Sequence, residues 1–155
     1  MPSEFSFNRR IEFYETDMAG IVHFSNFYRY MEQAEHEFFR AHGLKIIDKQ
    51  SDGSIIGWPR VSAQCTYEGP AFYDDVLEVR LRVNRKGVKS ITYDFEFYRE
   101  DQRIARGRMK SFCSIFRHGE KMQSIEIPPE YGSIIEESAT LDGPIPNPKN
   151  SSSSD

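Results

Sequence analysis

Cysteine is scarce in this chain of 155 residues: there are two, Cys65 and Cys113. They match no metal-ligand spacing and lie in alternating apolar stretches, where buried thiols are the expected state. His36, His42 and His118 form no ligand pattern either, so no metal is expected and no cofactor is implied. Long apolar runs are also missing. No uncharged stretch approaches the ~18 residues that a membrane helix needs, and mean hydropathy is −0.63. Met1 to Arg10 lacks the apolar centre of a secretory leader, so the expected setting is cytoplasmic and reducing, with no membrane contact. A basic excess is absent: 20 Lys and Arg stand against 24 Asp and Glu, for a formal charge of −4. A nucleic-acid partner is therefore not expected. Tryptophan occurs once, yet 12 Phe and 8 Tyr bring aromatics to 14%, which favours a well-packed fold containing β-structure.

Length argues for one domain, since domains cluster near ~100–150 residues. The only low-complexity stretch is Gly143-Pro144-Ile145-Pro146-Asn147-Pro148, running on to Asn150 and four serines. Pro, Gly and Ser at that density cannot build a core. The expected division is a domain over 1–140 and a flexible tail over 141–155. Asn150-Ser151-Ser152 fits a glycosylation sequon and, without a leader, is read as chance.

Residues 5–14 alternate around Phe5, Phe7, Ile11 and Phe13 and read as a first strand, with Arg9 and Arg10 on a wet edge. Phe27, Tyr30, Met31, Ala34, Phe38 and Ala41 then recur at helical spacing. Ser25 as N-cap and Gly43 as C′ stop bound a helix over about 25–42. Leu77, Val79, Leu81 and Val83 alternate with Glu78, Arg80 and Arg82, and Ile91, Tyr93, Phe95 and Phe97 repeat the pattern after a turn at Gly87. Residues 58–68 and 102–117 supply two more strands, the last bending at Gly107. One long helix and five strands, four of them in meander, bury the helix stripe only if the sheet curls around it. The class is α+β, a curved antiparallel sheet around one central helix.

The link from first strand to helix carries the chemistry. Asp17 lies just before a helix start, where unpaired N–H groups concentrate positive potential. It is either a loop acid satisfying those donors, or a nucleophile or general base whose oxyanion the N–H groups hold. His23 is either a loop or pocket residue or a partner for Asp17, able to move a proton near neutral pH. Arg80, Arg82, Arg85, Lys86 and Lys89 place five cations within ten residues. Arg80 and Arg82 read as a solvated strand face. The stretch as a whole is a cationic lip fit for phosphates.

The ordered blocks Arg10-Ile11-Glu12-Phe13, Asp17-x-Ala19-Gly20-Ile21-Val22, Asn26, Gly43-Leu44, Gly57-x-Pro59-x-Val61-Ser62, Tyr73-Asp74-Asp75-Val76-Leu77, Lys89-Ser90 and Ile125-Glu126-Ile127-Pro128 resemble the 4-hydroxybenzoyl-CoA thioesterase family of hotdog-fold proteins over about 7–132. The resemblance implies a hotdog fold and hydrolysis of an acyl-CoA, aromatic in the nearest relatives. It places the catalytic carboxylate on Asp17, the oxyanion N–H on Phe24, and His23 where relatives carry an aromatic residue lining the acyl pocket. Trp58-Pro59 precedes a strand and is a candidate border of the acyl pocket, with a core position the favoured reading for the tryptophan. Lys89 and Ser90 fall at a phosphate-contacting position, and Lys121 lies beside a second phosphate-binding region. A related branch uses a helix carboxylate, which makes Glu32 and Glu35 fallback acids. Open sheet edges imply a homodimer at least, and the family a tetramer. An acyl-CoA binding or regulatory protein and a hydratase or dehydratase leaning on His23 are the competing functions.

Overall fold

The computed structural model describes residues 3–139 and 143–147. Strands β5 (Val76–Lys86) and β6 (Ser90–Arg99) pair antiparallel, with Val79 opposite Phe97 and Leu81 opposite Phe95. That register puts the apolar members of both strands on one face. Strand β7 (Gln102–Phe112) extends the pairing beyond β6, β1 (Glu4–Arg10) adds outside β5, and β4 (Arg60–Tyr67) adds outside β7. The sheet order is β1-β5-β6-β7-β4. The expected meander thus fails at β4, which joins β7 at the far edge. The link after β4 crosses the end of the sheet, fixed there by Glu68 and Gly69 N–H on Ile104 O and by Arg99 on Pro70 O at 2.9 Å.

Helix α1 (Asn26–Ala41) lies on the apolar face and buries Phe27, Tyr30, Met31, Ala34, Phe38 and Phe39. Each large apolar side chain fully buried there contributes about 1.5–3 kcal/mol by leaving water. The helix stops as expected. Gly43 adopts φ +70, its N–H bonds Arg40 O, and the Leu44 N–H bonds Phe39 O at 2.8 Å, a Schellman end that only glycine enters without strain. Ser25 does not cap the start with its side chain; its backbone is helical, and Oγ instead meets His23 Nδ1 at 2.7 Å.

The strand expected over 102–117 breaks at Cys113, not at Gly107. After Cys113 the chain enters a second sheet of β2 (Asp48–Lys49), β3 (Ile55–Gly57), β8 (Ser114–Phe116) and β9 (Gln123–Ser124), followed by the short helix α2 (Pro129–Gly132). Gly107 lies within β7 with its pairing unbroken. A Cβ there would sit 2.6 Å from Met31 Sδ and 2.9 Å from the Gln64 carbonyl oxygen, so the glycine lets α1 press onto the sheet. Cys65 and Cys113 are free thiols, pushed up to about 11 by burial.

Part of the expected tail packs on the domain. Residues 143–147 lie against β5 and β6, where Ile145 is buried and Arg80 and Arg82 donate to the carbonyls of Ile145 and Gly143. Residues 140–142 and 148–155, with the sequon, lie outside the described residues. Arg80 and Arg82 are accordingly not a solvated face. Arg80 pairs with Glu78 and stacks on Tyr98, and Arg82 pairs with Asp94.

One carboxylate is sealed between α1 and the sheet. Glu35 is fully buried, accepts from Ser111 Oγ at 3.0 Å, and has Arg60 Nη1 2.9 Å from Oε1 without hydrogen-bond alignment. Burial pushes its pKa up to about 7 against the lowering effect of Arg60. The folded state therefore holds this proton more tightly than the unfolded chain does. The Glu35 contribution to stability is complete below the unfolded value near 4.5 and is lost as pH rises toward about 7. Glu35→Gln should flatten that decline when urea midpoints are compared across roughly pH 4.5–8; an unchanged slope would remove Glu35 as its source.

Candidate active site

The site grows out of the chain between β1 and α1. Period-two alternation puts Arg9 on the same face as Phe5 and Phe7, and the structure turns it inward rather than onto a wet edge. Arg9 donates to both carboxylate oxygens of Glu15, at 3.0 and 2.6 Å, and to Gln33. Glu15 ends the short 3-10 turn Phe13–Glu15 and is 4% exposed. Its Oε1 also accepts the Glu12 N–H, while its carbonyl accepts the His23 N–H at 2.9 Å and Asn26 Nδ2 at 2.7 Å. Glu15 thus ties the first strand, the loop and the first residue of α1 together.

Between those ties the chain makes a tight turn with Asp17 at its base. The Asp17 N–H bonds Ile21 O at 2.8 Å, Gly20 adopts φ +82, and Asp17 Oδ1 accepts the Ala19 N–H at 2.9 Å. One carboxylate oxygen therefore serves the loop. Among the described residues, Oδ2 has no hydrogen-bond partner. Phe24 follows, and no acceptor among the described residues meets its backbone N–H. Its carbonyl is held by Tyr67 Oη at 3.1 Å. Asp17 and Phe24 line one pocket of about 430 Å³, walled by Val22, Phe27, Tyr67 and Ala71. A carboxylate and a free N–H at the mouth of an apolar pocket can attack or hydrate a carbonyl and hold its developing charge.

The other expected site residues are distributed differently. His23 lies outside that pocket, bonded to Ser25 and stacked on the Phe24 ring at 4.7 Å, and makes no pair with Asp17. Trp58 is a core residue, not a pocket wall: it is 4% exposed and packs on Phe39 and Tyr131, with ring centroids 5.6 and 5.4 Å away. Its indole fills the gap between α1 and α2. Pro59 accepts the Phe112 N–H at the start of β4 and does not line the Asp17 pocket. Lys89 and Ser90 line a second pocket of about 450 Å³ with Val61, Lys110 and Phe112. Lys121 is exposed and lines neither. Val61 and Tyr67 mark opposite ends of β4, roughly 20 Å apart at ~3.3 Å per residue, so one chain does not bring Lys89 to Asp17. Glu35 is enclosed and Glu32 is exposed beside Arg60; neither lines the Asp17 pocket.

Sequence reasoning gave no site role to Arg9, Glu15, Asn26 or Tyr67. The alternation of Phe5, Phe7, Arg9 and Ile11 was the available signal, because an inward arginine requires a buried acid.

The profile of the thioesterase-like superfamily matches residues 11–135. The 4-hydroxybenzoyl-CoA thioesterase of Pseudomonas sp. (strain CBS-3) is 27% identical over 140 residues, 84% of this chain and 96% of that protein. Its solved structure superposes with a TM-score of 0.75 over 85% of this chain and 99% of that one, at 26% identity. A hypothetical protein from Aquifex aeolicus matches at 33% identity and TM-score 0.74, over 85% of this chain and 99% of that one. A gentisyl-coenzyme A thioesterase matches at 30% and 0.71, over 80% and 96%. The chain belongs to the thioesterase-like superfamily, with its hotdog fold. By class it is an acyl-CoA thioester hydrolase.

Arg9→Ala strands the buried Glu15 charge and should cost about 3–5 kcal/mol. Arg10→Ala removes only the exposed pair with Asp74 and should cost less than about 1 kcal/mol. Chemical denaturation of both variants checks the contrast, and equal losses would contradict it.

Proposed function

We propose that the protein hydrolyses aryl-CoA thioesters to the free acid and CoA. In this reading Asp17 acts as nucleophile or as general base toward water, and the Phe24 N–H receives the oxyanion. The observation that carries it is the shared pocket: a carboxylate with one unengaged oxygen and an N–H without an acceptor among the described residues, on apolar walls that suit an aromatic acyl group. The named activities of the 4-hydroxybenzoyl-CoA and gentisyl-CoA relatives support the aromatic choice. Asp17 differs from Glu35 in being reachable. His23, committed to Ser25, gives no support to a hydratase.

The working unit in this proposal is a homodimer, which a tetramer would pair again. Strand β4 is an edge strand, six of its eight residues are exposed, and its outer backbone has no strand partner among the described residues. Open edges of that length are normally paired or covered. Antiparallel pairing of β4 with a second copy sets the Tyr67 end of one strand beside the Val61 end of the other. The Asp17 pocket of one copy then adjoins the Lys89 pocket of its partner, giving an acyl end and a phosphate end to one groove. No helix among the described residues is long and apolar enough to cross a membrane, in keeping with a cytoplasmic location.

Asp17→Asn should lower kcat by roughly 10²–10⁴, the range for loss of an acid–base group, with aryl-CoA binding and folding retained. Thiol release from a panel of acyl-CoA substrates measures this. Full turnover in the variant would overturn the assignment, as would a wild type that binds the panel without hydrolysing it.

A further inference from the structure

The face of the sheet turned away from α1 carries a cavity of its own, about 540 Å³ in volume. Its floor is built by alternation. Asp94 and Glu96 on β6 and Arg106 and Arg108 on β7 point away from the face that buries Phe95 and Phe97. One wall is the strap 143–147, anchored by the buried Ile145 and by the carbonyl contacts of Arg80 and Arg82. The strap lies beyond residues 11–135, which match the superfamily profile.

Charge in this cavity is unbalanced in a specific way. Asp94 is a single carboxylate shared by two arginines, Arg108 at 2.7 Å and Arg82 at 3.2 Å, and it also accepts from Asn84. Glu96 is occupied by Arg103 at 2.7 Å and by the Ile145 N–H. Arg82 is 7% exposed, and its Nε has no hydrogen-bond partner among the described residues. Arg106 has neither an ion pair nor a hydrogen bond among the described residues. Its cross-strand neighbour on β4 is Thr66, and that of Arg108 is Gln64, so β4 brings hydroxyl and amide groups but no acid. Among the described residues that line the cavity, four arginines stand against two carboxylates, and both carboxylates are already engaged. All this sits on a chain with a formal charge of −4.

We propose that this cavity binds a small-molecule anion bearing a phosphate or pyrophosphate group. Planar guanidinium groups match phosphate oxygens with paired, charge-assisted hydrogen bonds, and Thr66 and Gln64 supply neutral donors beside them. Arg106 is the uncommitted anchor, and Arg108 is already held in place by Asp94. The strap forms one wall of the cavity through Gly143, Pro144 and Ile145. The site is independent of the Asp17 pocket and stands whether or not the aryl-CoA reading does.

Calorimetric titration of the full chain with inorganic pyrophosphate at low ionic strength tests it. The expected result is saturable binding, one per protomer, that weakens as salt is added. Arg106→Ala should weaken it by at least about tenfold, the scale of losing one charged hydrogen-bond donor. Arg106→Lys should fall between, because the charge remains and the fork is lost. Neither variant should alter kcat or KM for acyl-CoA. Absence of saturable binding overturns the proposal, as does equal affinity in Arg106→Ala. Loss of binding through Lys89→Ala with Arg106→Ala unaffected would move the anion to the end pocket and also overturn it. A changed oligomeric mass in Arg106→Ala with pyrophosphate affinity intact would make this face a contact between copies, which equally overturns it.

Discussion

The bidentate contact between Arg9 and Glu15 is the constraint on which the site depends. Glu15 is nearly enclosed, and an enclosed carboxylate is tolerated only with a paired cation and filled lone pairs. Arg9 provides the charge from β1, and the Glu12 N–H fills a lone pair. With the side chain immobilised, the backbone of the same residue becomes a fixed post. Its carbonyl holds the His23 N–H and the Asn26 side chain on either side of Phe24. The Asp17 turn and the Phe24 N–H are therefore referenced to the sheet through one residue. The proposed reaction requires that rigidity, because donors that must reorganise during reaction stabilise little.

A second consequence of the fold is the separation of roles by strand face. The inner face of β5, β6 and β7 is committed to α1, and Gly107 removes the one side chain that would hold the helix off. The outer face carries arginines and carboxylates in alternation, partly roofed by 143–147. Strand β4, by contrast, is left largely uncovered. Its two ends border the two pockets, one with a carboxylate and one with lysines. In the proposed dimer, two-fold pairing along this exposed edge brings the two pockets together.

Most of the fold was legible because it is periodic. The α1 stripe, the Gly43 stop and the alternation in β5 and β6 each follow from local rules, and the structure keeps them within a residue or two. Strand order was not legible: nothing in residues 58–68 says that β4 pairs with β7 rather than β5, since that depends on how 68–75 crosses the sheet end. Trp58 was ambiguous for a similar reason, being an aromatic residue beside a strand whose neighbours Phe39 and Tyr131 come from distant segments. Asp17 and Phe24 stood out by resemblance, and the structure puts both on one pocket. The inward phase of Arg9 was visible in the alternation of β1, but its pairing with Glu15 is a tertiary fact. The strap was hidden because low-complexity composition conceals a single anchoring residue, Ile145.

In the proposed reaction the thioester carbonyl lies between Asp17 and the Phe24 N–H, and a crystal structure with a non-hydrolysable thioether analogue of an aryl-CoA tests that placement. The aryl group is expected in the apolar pocket, against the walls formed by Phe27 and Tyr67, with the acyl oxygen about 2.7–3.1 Å from the Phe24 nitrogen, as an oxyanion donor requires. Asp17 would lie against the acyl carbon, and the nucleotide would reach toward the partner's Lys89. An analogue bound with its acyl carbon away from Asp17, or its oxygen on other donors, would contradict it.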